Sequence, residues 1–434
     1  MPSLTYIQLL RANRSFRRLW VGQVVSELGN WFYFIAALGL VRQVSHNDPA
    51  ATTIVLLARL IPFTLLAPIA GAFVDRWSRR QVMILTDLAR VLIALLLLLV
   101  HGREDLWLVY LSTVLLSIFG TFFEAAKNAA VPNITGERDL LAGNALMFSS
   151  RFLLMSFGAA LGGWTSAELG YAVAFIVNSL SFLISAYSVW LVPEHETRNE
   201  PVPLDNEAEP QSRFSFWSDI REGWSYIVRH APVAAILGVN ILWATGGGAI
   251  NLISDRLGGL VYAGQNGISG DSAVAVLYFA NGMGLFIGMM IARRVGTFLE
   301  LRGKTIGFIG WALVLQGLLF AGIGAMPTLV LASLLLVVSR ATLGVEFAIQ
   351  ETLLMRLVPD NLRGRVSTTD RAGELLVWSF STAAAGWSLS YITPRMLTVV
   401  SGLLSASGGV AWLMMFALKI IRLPRRLDDK SRHK

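Results

Sequence analysis

Cysteine is absent from the 434-residue sequence, which excludes disulfide bonds and cysteine-ligated metal sites. Histidine is nearly as scarce, with five residues that all fall in predicted loops or at the edges of predicted membrane spans. We therefore expect no histidine proton relay inside the membrane, no bound metal ion and no organic cofactor.

Charge is the second shortage, because only 15% of the residues are charged while 54% are hydrophobic. An ordinary soluble domain carries about 25% charged residues, so most of this apolar excess must face lipid. The sequence therefore predicts an integral membrane protein. Its net charge of +8 is attributed to basic residues on the cytoplasmic side of the membrane, and no nucleic-acid partner is expected.

The sequence also lacks a complete nucleotide-binding motif. Gly303, Lys304 and Thr305 match the end of a phosphate-binding loop, but Phe298 stands where that loop requires its first glycine. A strand should precede such a loop, and a membrane helix is predicted there instead. We expect neither ATP hydrolysis nor another enzymatic activity.

Long apolar segments are what the sequence has in abundance. A membrane-spanning helix needs about 20 mostly apolar residues, and the sequence supplies twelve such segments. The expected fold class is an all-α integral membrane protein with twelve transmembrane helices. The predicted spans are 16–41, 50–74, 82–101, 106–131, 140–163, 171–192, 231–252, 272–292, 305–325, 328–355, 368–391 and 397–420.

Basic residues set the expected orientation. Most of the 36 Lys and Arg residues fall in tails and loops that would share one side of the membrane. The loops of the other side hold only Arg42, Arg103, Arg256 and Arg395. The positive-inside rule then places both termini in the cytoplasm. The first apolar run is too long for a signal-peptide core of about 7–15 residues, so it is expected to remain as a span.

A polar, acidic segment separates predicted spans six and seven and indicates a linker. Within it, Trp217, Ile220, Trp224 and Ile227 have helical spacing, which predicts an amphipathic helix on the membrane surface. An N-terminal six-helix half, the linker, a C-terminal six-helix half and a basic cytoplasmic tail are expected at 1–192, 193–230, 231–421 and 422–434.

Short matches between the two halves indicate an internal duplication. Val131–Asn133 is placed at the end of span four, and Val358–Asp360 at the end of span ten. Glu124 and Glu351 are separated by the same number of residues as these two triplets. Two pseudo-symmetric six-helix halves are the architecture of many secondary transporters.

A charged loop with the pattern G-x-x-x-D-R-x-x-R-R follows the second predicted span. It resembles the loop signature of the major facilitator superfamily, with Ser78 where that signature often has glycine. The resemblance extends over nearly the whole chain and implies a monomeric transporter of the bacterial inner membrane. The residues of this loop motif are Gly71, Asp75, Arg76, Arg79 and Arg80.

The resemblance also implies a cytoplasmic latch. Asp75 is expected to meet the N-terminal end of predicted helix eleven, near Asp370, and Arg76 to meet an acid such as Glu124 or Asp87. These contacts would close the cytoplasmic side. The alternative is a purely topological role, in which the arginines hold the loop inside by charge.

Other stretches narrow the resemblance. "FRRLW" and "REGWSYI" are similar to the branch of bacterial exporters that includes macrolide-efflux and enterobactin-export proteins. "GAALGG", from Gly158 to Gly163, resembles an antiporter signature, with Ala159 in place of a proline. Close helix packing at small residues explains the same segment equally well.

Polar residues inside the spans are the candidate functional residues, because a charge there costs about 2.5–3.5 kcal/mol on insertion scales. Glu27, near the expected midplane of span one, is the first proton-coupling candidate, and Glu346 in span ten is the second. A structural pairing of Glu27 with Arg59 is the alternative. Other residues are predicted to line a substrate cavity, unless they serve packing. They are Gln23, Asn30, Phe34, Arg59, Arg151, Asn240, Trp243, Asn281 and Arg340.

These observations predict a proton-coupled antiporter that exports a small amphipathic molecule, such as a drug or a siderophore. A lysophospholipid carrier is the alternative within transport, because intramembrane arginines would suit an anionic headgroup. A non-transporting membrane receptor or scaffold is the alternative of another class. The lack of a large predicted soluble domain disfavours that class.

Overall fold

The described part of the chain is helical, as the sequence predicts. The structure is a computed structural model that describes residues 6–74, 76–197, 216–359 and 362–418, and these residues contain no strand. The helices are α1 (Tyr6–Ala12), α2 (Arg14–Val44), α3 (Pro49–Val74), α4 (Arg79–Leu95), α5 (Leu106–Glu168), α6 (Tyr171–Trp190), α7 (Phe216–Arg229), α8 (Ala231–Gly247), α9 (Ile250–Arg256), α10 (Gly270–Glu300), α11 (Thr305–Ile323), α12 (Leu329–Leu357), α13 (Arg363–Ser388) and α14 (Pro394–Ala417).

Within these ranges, eleven helical stretches are long and apolar enough to cross a membrane, and α5 supplies two of them. Helix α13 has 26 residues and covers most of predicted span eleven, but it is not among the eleven. Its first half is strongly charged, with Arg365, Asp370, Arg371 and Glu374, so its apolar part is short. With α13 included, the described helices account for all twelve predicted spans.

Helix α5 breaks at a different residue from the one that the sequence suggests. The prediction that Pro132 ends the fourth span's helix is wrong, because the helix continues through Pro132. The break comes at Gly136, whose φ of 68° and ψ of 165° lie where residues with a Cβ are disfavoured. In the corresponding place of the second half, α12 ends at Leu357 and Val358 is extended directly before Pro359, as expected for a residue that precedes proline.

Unit 1, one of two compact units, comprises Met1–Phe214 and Gly267–Phe279. Its helices α2 and α6 approach closely at small residues. A Cβ built on Gly29 would lie 2.1 Å from the Ser181 hydroxyl oxygen. In lipid the hydrophobic effect does not drive helices together, so close packing of this kind is a main source of stability.

Unit 2 comprises Ser215–Asn266 and Ala280–Lys434. Helices α11 and α14 also approach closely at small residues, since a Cβ on Gly402 would lie 2.3 Å from the Ala321 nitrogen. Trp412 is fully buried here and donates its indole N–H to the Ile306 carbonyl at 2.8 Å. The predicted surface helix forms as α7, with Ile227 buried.

Candidate functional site

Four side chains of unit 1 form a compact group, the Arg59 cluster: Trp31 and Phe34 of α2, Arg59 of α3, and Tyr278 of α10. The Phe34 ring centroid lies 5.6 Å from that of Trp31 and 5.5 Å from that of Tyr278. The guanidinium carbon of Arg59 lies 4.2 Å from the Phe34 centroid and 5.6 Å from the Trp31 centroid. This geometry is a cation–π contact, and it joins two predicted cavity residues, Phe34 and Arg59.

Glu27 and Arg151 lie close enough to Arg59 to interact with its charge. Glu27 is half-buried, and within the described residues no salt bridge joins it to Arg59. Gln23 and Asn30 share the Glu27 face of α2 by helical spacing. The Gln23 carbonyl oxygen is buried without a hydrogen-bond partner in the described chain. This face of α2 is therefore polar and only partly satisfied.

The "GAALGG" segment lies where α5 meets α2. A Cβ on Gly158 would approach Trp31 Cβ to 2.7 Å, and one on Gly162 would approach Phe32 Cα to 2.9 Å. The missing side chains thus allow the two backbones to approach, which is the packing role expected of small residues in membrane helices. The same contact positions Trp31 of the Arg59 cluster.

In unit 2, Glu346 of α12 is 2% exposed, and its Oε1 atom has no hydrogen-bond partner among the described residues. One turn further on, the Gln350 side-chain nitrogen is buried and equally unpartnered. Arg340 is 3% exposed, with its guanidinium carbon 4.7 Å from the Phe320 centroid. Buried polar groups without partners are rare and costly, so this stretch of α12 requires an explanation beyond stability.

The remaining candidates of unit 2 lie on α8, α10 and α13. Asn240 donates its amide to Asp370 at 3.1 Å. Trp243 lies beside Trp378, with ring centroids 6.1 Å apart, and its indole N–H has no partner in the described chain. Asn281 of α10 is buried. Of the two predicted cavity residues of α8, Asn240 therefore binds a carboxylate and Trp243 packs on an aromatic ring.

The loop motif is described except for Asp75, which lies outside the described residues together with its expected contact to helix eleven. Arg79 donates to the Ala129 carbonyl at 2.8 Å, and Arg80 to the Trp190 carbonyl at 2.5 Å. Arg76 is exposed. Arg80 therefore stabilises a carbonyl at the C-terminal end of α6, where the backbone lacks partners, and Arg79 joins the start of α4 to a carbonyl within α5. A Cβ on Gly71 would meet no atom within 4 Å.

The two acids proposed as partners of Arg76 have nearer cations in the structure. Asp87 forms a buried ion pair with Arg90, one turn along α4. Glu124 accepts a hydrogen bond from Lys127 at 2.6 Å, one turn along α5. Both pairs are local to one helix, and the contacts to Arg76 stay predictions of the latch hypothesis.

Sequence reasoning missed a polar cluster, the Asp271 cluster, which comprises Arg42, Tyr171 and Asp271 of unit 1. Arg42 pairs with one carboxylate oxygen of Asp271, and the Tyr171 hydroxyl donates to the other at 2.8 Å. Arg42 was assigned only to an outer loop. An acid directly before span eight, with an arginine directly after span one on the same predicted side, was the signal available in the sequence.

A second missed feature is Arg256, which was also placed in an outer loop. The structure buries it at 1% exposure beside Asp255, with Nε and Oδ2 3.5 Å apart. The next residues, Leu257–Val261, form a π-helix. A π-helical turn beside a buried ion pair is a frequent sign of a functional segment.

Comparison of the sequence with known proteins finds bacterial transporters. The chain is 26% identical to an uncharacterized MFS-type transporter, YfiS of Bacillus subtilis, over 51% of each protein. It is 26% identical to BacE of Bacillus subtilis, which is named as a proposed bacilysin exporter, over 66% of this chain and 68% of BacE. It is 25% identical to the lysophospholipid transporter LplT of Pectobacterium carotovorum, over 54% of each. The chain thus spans about half the length of YfiS and LplT.

Solved transporter structures share the fold. The nucleoside transporter NupG aligns with a TM-score of 0.68 at 14% identity, over 93% of this chain and 99% of that chain. A bacterial homologue of the iron transporter ferroportin, in an inward-facing state, aligns with a TM-score of 0.65 at 15% identity, over 92% and 98%. At such identities the likeness shows the fold alone. The family model of the Major Facilitator Superfamily matches residues 19–369, and this multi-pass membrane transporter belongs to that superfamily.

Proposed function

We propose that the protein is a proton-coupled antiporter that exports a small amphipathic organic molecule by alternating access. Membership of a transporter family and similarity to BacE support transport and export. The proposal places the protein as a monomer in a bacterial inner membrane with both termini in the cytoplasm. The basic residues of the predicted inner loops support this orientation.

The burial of Glu346 without a partner is the observation that supports proton coupling. An unpaired carboxylate buried in a membrane helix is costly when charged and tolerable when protonated. Glu346 is buried, and its Oε1 atom has no partner among the described residues. In the proposed cycle Glu346 holds a proton while it is enclosed and releases it when a conformational change admits water.

Glu27 is only the second proton-coupling candidate in this proposal. The sequence alone ranks Glu27 first and Glu346 second. The Arg59 guanidinium lies close enough to Glu27 for their charges to interact, whereas Glu346 forms no ion pair within the described chain. Glu27 is therefore proposed to adjust the charge of the Arg59 cluster.

A lysophospholipid carrier is the second candidate function. The similarity to LplT favours it, and so does the pair of exposed arginines, Arg59 and Arg151, in unit 1. A non-transporting receptor or scaffold has no observation of its own in support.

The loop motif is proposed to latch the cytoplasmic side. The hydrogen bonds from Arg79 and Arg80 to carbonyls of α5 and α6 support a role in holding helices together. The part assigned to Asp75 rests on the resemblance alone.

Transport in liposomes tests the proposal. Substrates are first identified by growth of an efflux-deficient bacterium that expresses the protein on a panel of drugs, siderophores and lysolipids. Purified protein is then reconstituted, and substrate flux is measured with and without an imposed pH gradient. We expect the gradient to accelerate flux several-fold in the wild type. Glu346→Gln should retain exchange of substrate for substrate but lose the response to the gradient, because Gln cannot release a proton.

The matched control is Glu300→Gln, since Glu300 is an exposed acid that pairs with Arg356 at 2.7 Å. This variant should respond to the gradient like the wild type. A full gradient response in Glu346→Gln would contradict the coupling role. Movement of a fluorescent lysophospholipid without drug flux would favour the second candidate, and no flux of any substrate would favour the receptor.

A further inference from the structure

Several arginines in the helices of the described chain lie over aromatic rings, and three of them are Arg59, Arg90 and Arg340. Each sits in a segment predicted to cross the membrane, where an unpaired charge is costly. Their surroundings differ, and the differences show what each guanidinium can still bind.

The charge of Arg90 is already paired. Its guanidinium carbon lies between the Phe123 and Phe182 rings, 4.5 and 4.4 Å from the two centroids. Asp87 neutralises its charge in a buried ion pair. A buried, paired and sandwiched arginine of this kind fastens α4 to its neighbours and offers nothing to a ligand.

Arg340 is enclosed. It is 3% exposed, and a Cβ on Gly284 would lie 2.7 Å from the Arg340 Cβ. Because it is buried in this way, Arg340 suits a structural or electrostatic role in unit 2.

Arg59 differs from both, because it is exposed while it rests on Phe34 and Trp31. Its charge interacts with that of Glu27, but no carboxylate of the described chain forms a salt bridge with it. Arg151, also exposed, adds a second positive charge to the same neighbourhood. The local charge of these three groups is therefore positive.

Arg59 lies away from the exposed apolar face that flanks it on α3. The large apolar side chains that α3 leaves uncovered include Ile54, Ile61 and Leu65, which share one face of the helix. At about 100° per residue, Arg59 lies roughly 140° around the helix from that face. The Arg59 side chain instead lies against the Trp31 and Phe34 rings of α2.

A guanidinium held over an aromatic ring makes a cation–π contact that uses none of its N–H donors. Those donors match the two oxygens of a carboxylate or phosphate. The ring also fixes the side chain, which reduces the conformational entropy lost when a ligand binds. The indole N–H of Trp31 belongs to the same cluster and has no partner in the described chain.

We propose that Arg59, held on Phe34 and Trp31, binds an anionic group of the transported molecule, either a carboxylate or a phosphate, with Arg151 adding attraction. This inference rests on the proposed transport function and names the chemical class of its substrate. Glu27 opposes the anion, because its carboxylate interacts with the same Arg59 guanidinium.

Equilibrium binding to the full-length protein in phosphatidylcholine nanodiscs, without any pH gradient, tests this site. The first probe pair is N-acetylphenylalanine and its uncharged amide, which differ only at the carboxylate. The second pair is lysophosphatidylglycerol and monoacylglycerol of equal chain length. For at least one pair, we expect the anionic member to bind the wild type about tenfold more tightly. The pair that shows this preference identifies a soluble substrate or a lipid headgroup as the source of the anion.

Variants identify the residue responsible. Arg59→Gln should remove the preference for the anionic probe, and Arg59→Lys should retain part of it, because lysine keeps the charge but not the planar edge. Glu27→Gln should tighten anion binding, which no loss of folding can imitate. The control is Arg302→Gln, since Arg302 lies 3.7 Å from the Phe298 centroid at an exposed helix end and should not affect binding.

Two results would overturn the site: no preference for either anionic probe in the wild type, or an unchanged preference in Arg59→Gln with normal binding in Glu27→Gln. Both are distinguishable from failure of the proposed function, because binding is measured without a gradient and flux is measured separately. Transport with no anion preference would preserve the antiporter and remove the anion site.

Discussion

Charged side chains buried in the helices of this transporter fall into two groups. Arg42 with Asp271, and Asp87 with Arg90, form ion pairs. Glu346 has no such partner in the described residues. A buried pair holds helices in register, whereas a solitary buried acid can change its charge when its surroundings change. Stability is therefore expected to depend on the first group and transport on the second.

The Asp271 cluster gives a test of this division. Asp271→Asn leaves the Arg42 charge without its carboxylate, and removing one partner of a buried pair costs about 3–5 kcal/mol. We expect the lower end of this range, because the Asp271 side chain is 14% exposed. The melting temperature of the purified protein in detergent should fall by several degrees.

The control for this variant is Arg103→Gln, whose ion pair with Asp48 is 3.5 Å long and whose side chain is 63% exposed. Exposed pairs contribute about 0–1 kcal/mol, so its melting temperature should hardly change. The double variant Arg42→Gln/Asp271→Asn should be less destabilised than the two single effects added together. Equal melting temperatures for Asp271→Asn and the wild type would show that the pair contributes nothing.

At this scale the sequence predicts which residues are unusual but not what they contact. Glu346 is conspicuous as an acid within an apolar segment, and its candidacy needed no coordinates. The partner of Arg42 lies 229 positions away, and no local pattern links the two. Arg256 was misplaced for a related reason, because the helical chain continues beyond the predicted end of span seven and buries it.

Helix packing in unit 1 depends on glycines at defined contacts. Gly29 admits Ser181 of α6, and Gly162 admits the Phe32 backbone of α2. Such contacts are predictable as a class, since small residues in apolar segments favour close packing. Their partners are not predictable, because the same spacing fits any neighbouring helix.

Two glycines of α5 give a matched pair of substitutions. A Cβ on Gly162 would lie 2.9 Å from Phe32 Cα, whereas a Cβ on Gly120 meets no atom within 4 Å. Gly162→Ala should therefore force α5 away from α2 and cost about 1–3 kcal/mol. Gly120→Ala should be neutral or stabilising by up to about 1 kcal/mol, because alanine favours the helix. Thermal unfolding of both variants measures the difference, and equal destabilisation would refute the contact.

Element boundaries show where sequence rules compete. Proline predicts a helix end at both Pro132 and Pro359, yet only the second helix ends there. In α5 the flanking residues remain helical, and the glycine at position 136 supplies the left-handed φ that turns the chain. A proline rule thus locates the neighbourhood of a break, and a nearby glycine determines the residue.

For the whole molecule, composition and repeated apolar segments were sufficient to predict the fold class, because a bilayer permits few architectures. The loop motif after the second span indicated the protein family. The substrate did not follow from either, since one fold serves many functions. We propose that it depends instead on the side chains brought together in the Arg59 cluster, whose members come from predicted spans one, two and eight.

The orientation of the whole molecule is open to a direct test, because the chain has no cysteine of its own. Ala263, in the predicted outer loop before α10, and Gln81, at the start of α4 on the predicted inner side, are both exposed. The variants Ala263→Cys and Gln81→Cys therefore each carry a single reactive thiol. A membrane-impermeant maleimide should label the first in intact cells and the second only after permeabilisation. Because basic residues dominate the predicted inner loops, the opposite labelling pattern would mean that the positive-inside rule fails for this chain and that the proposed direction of transport must be reversed.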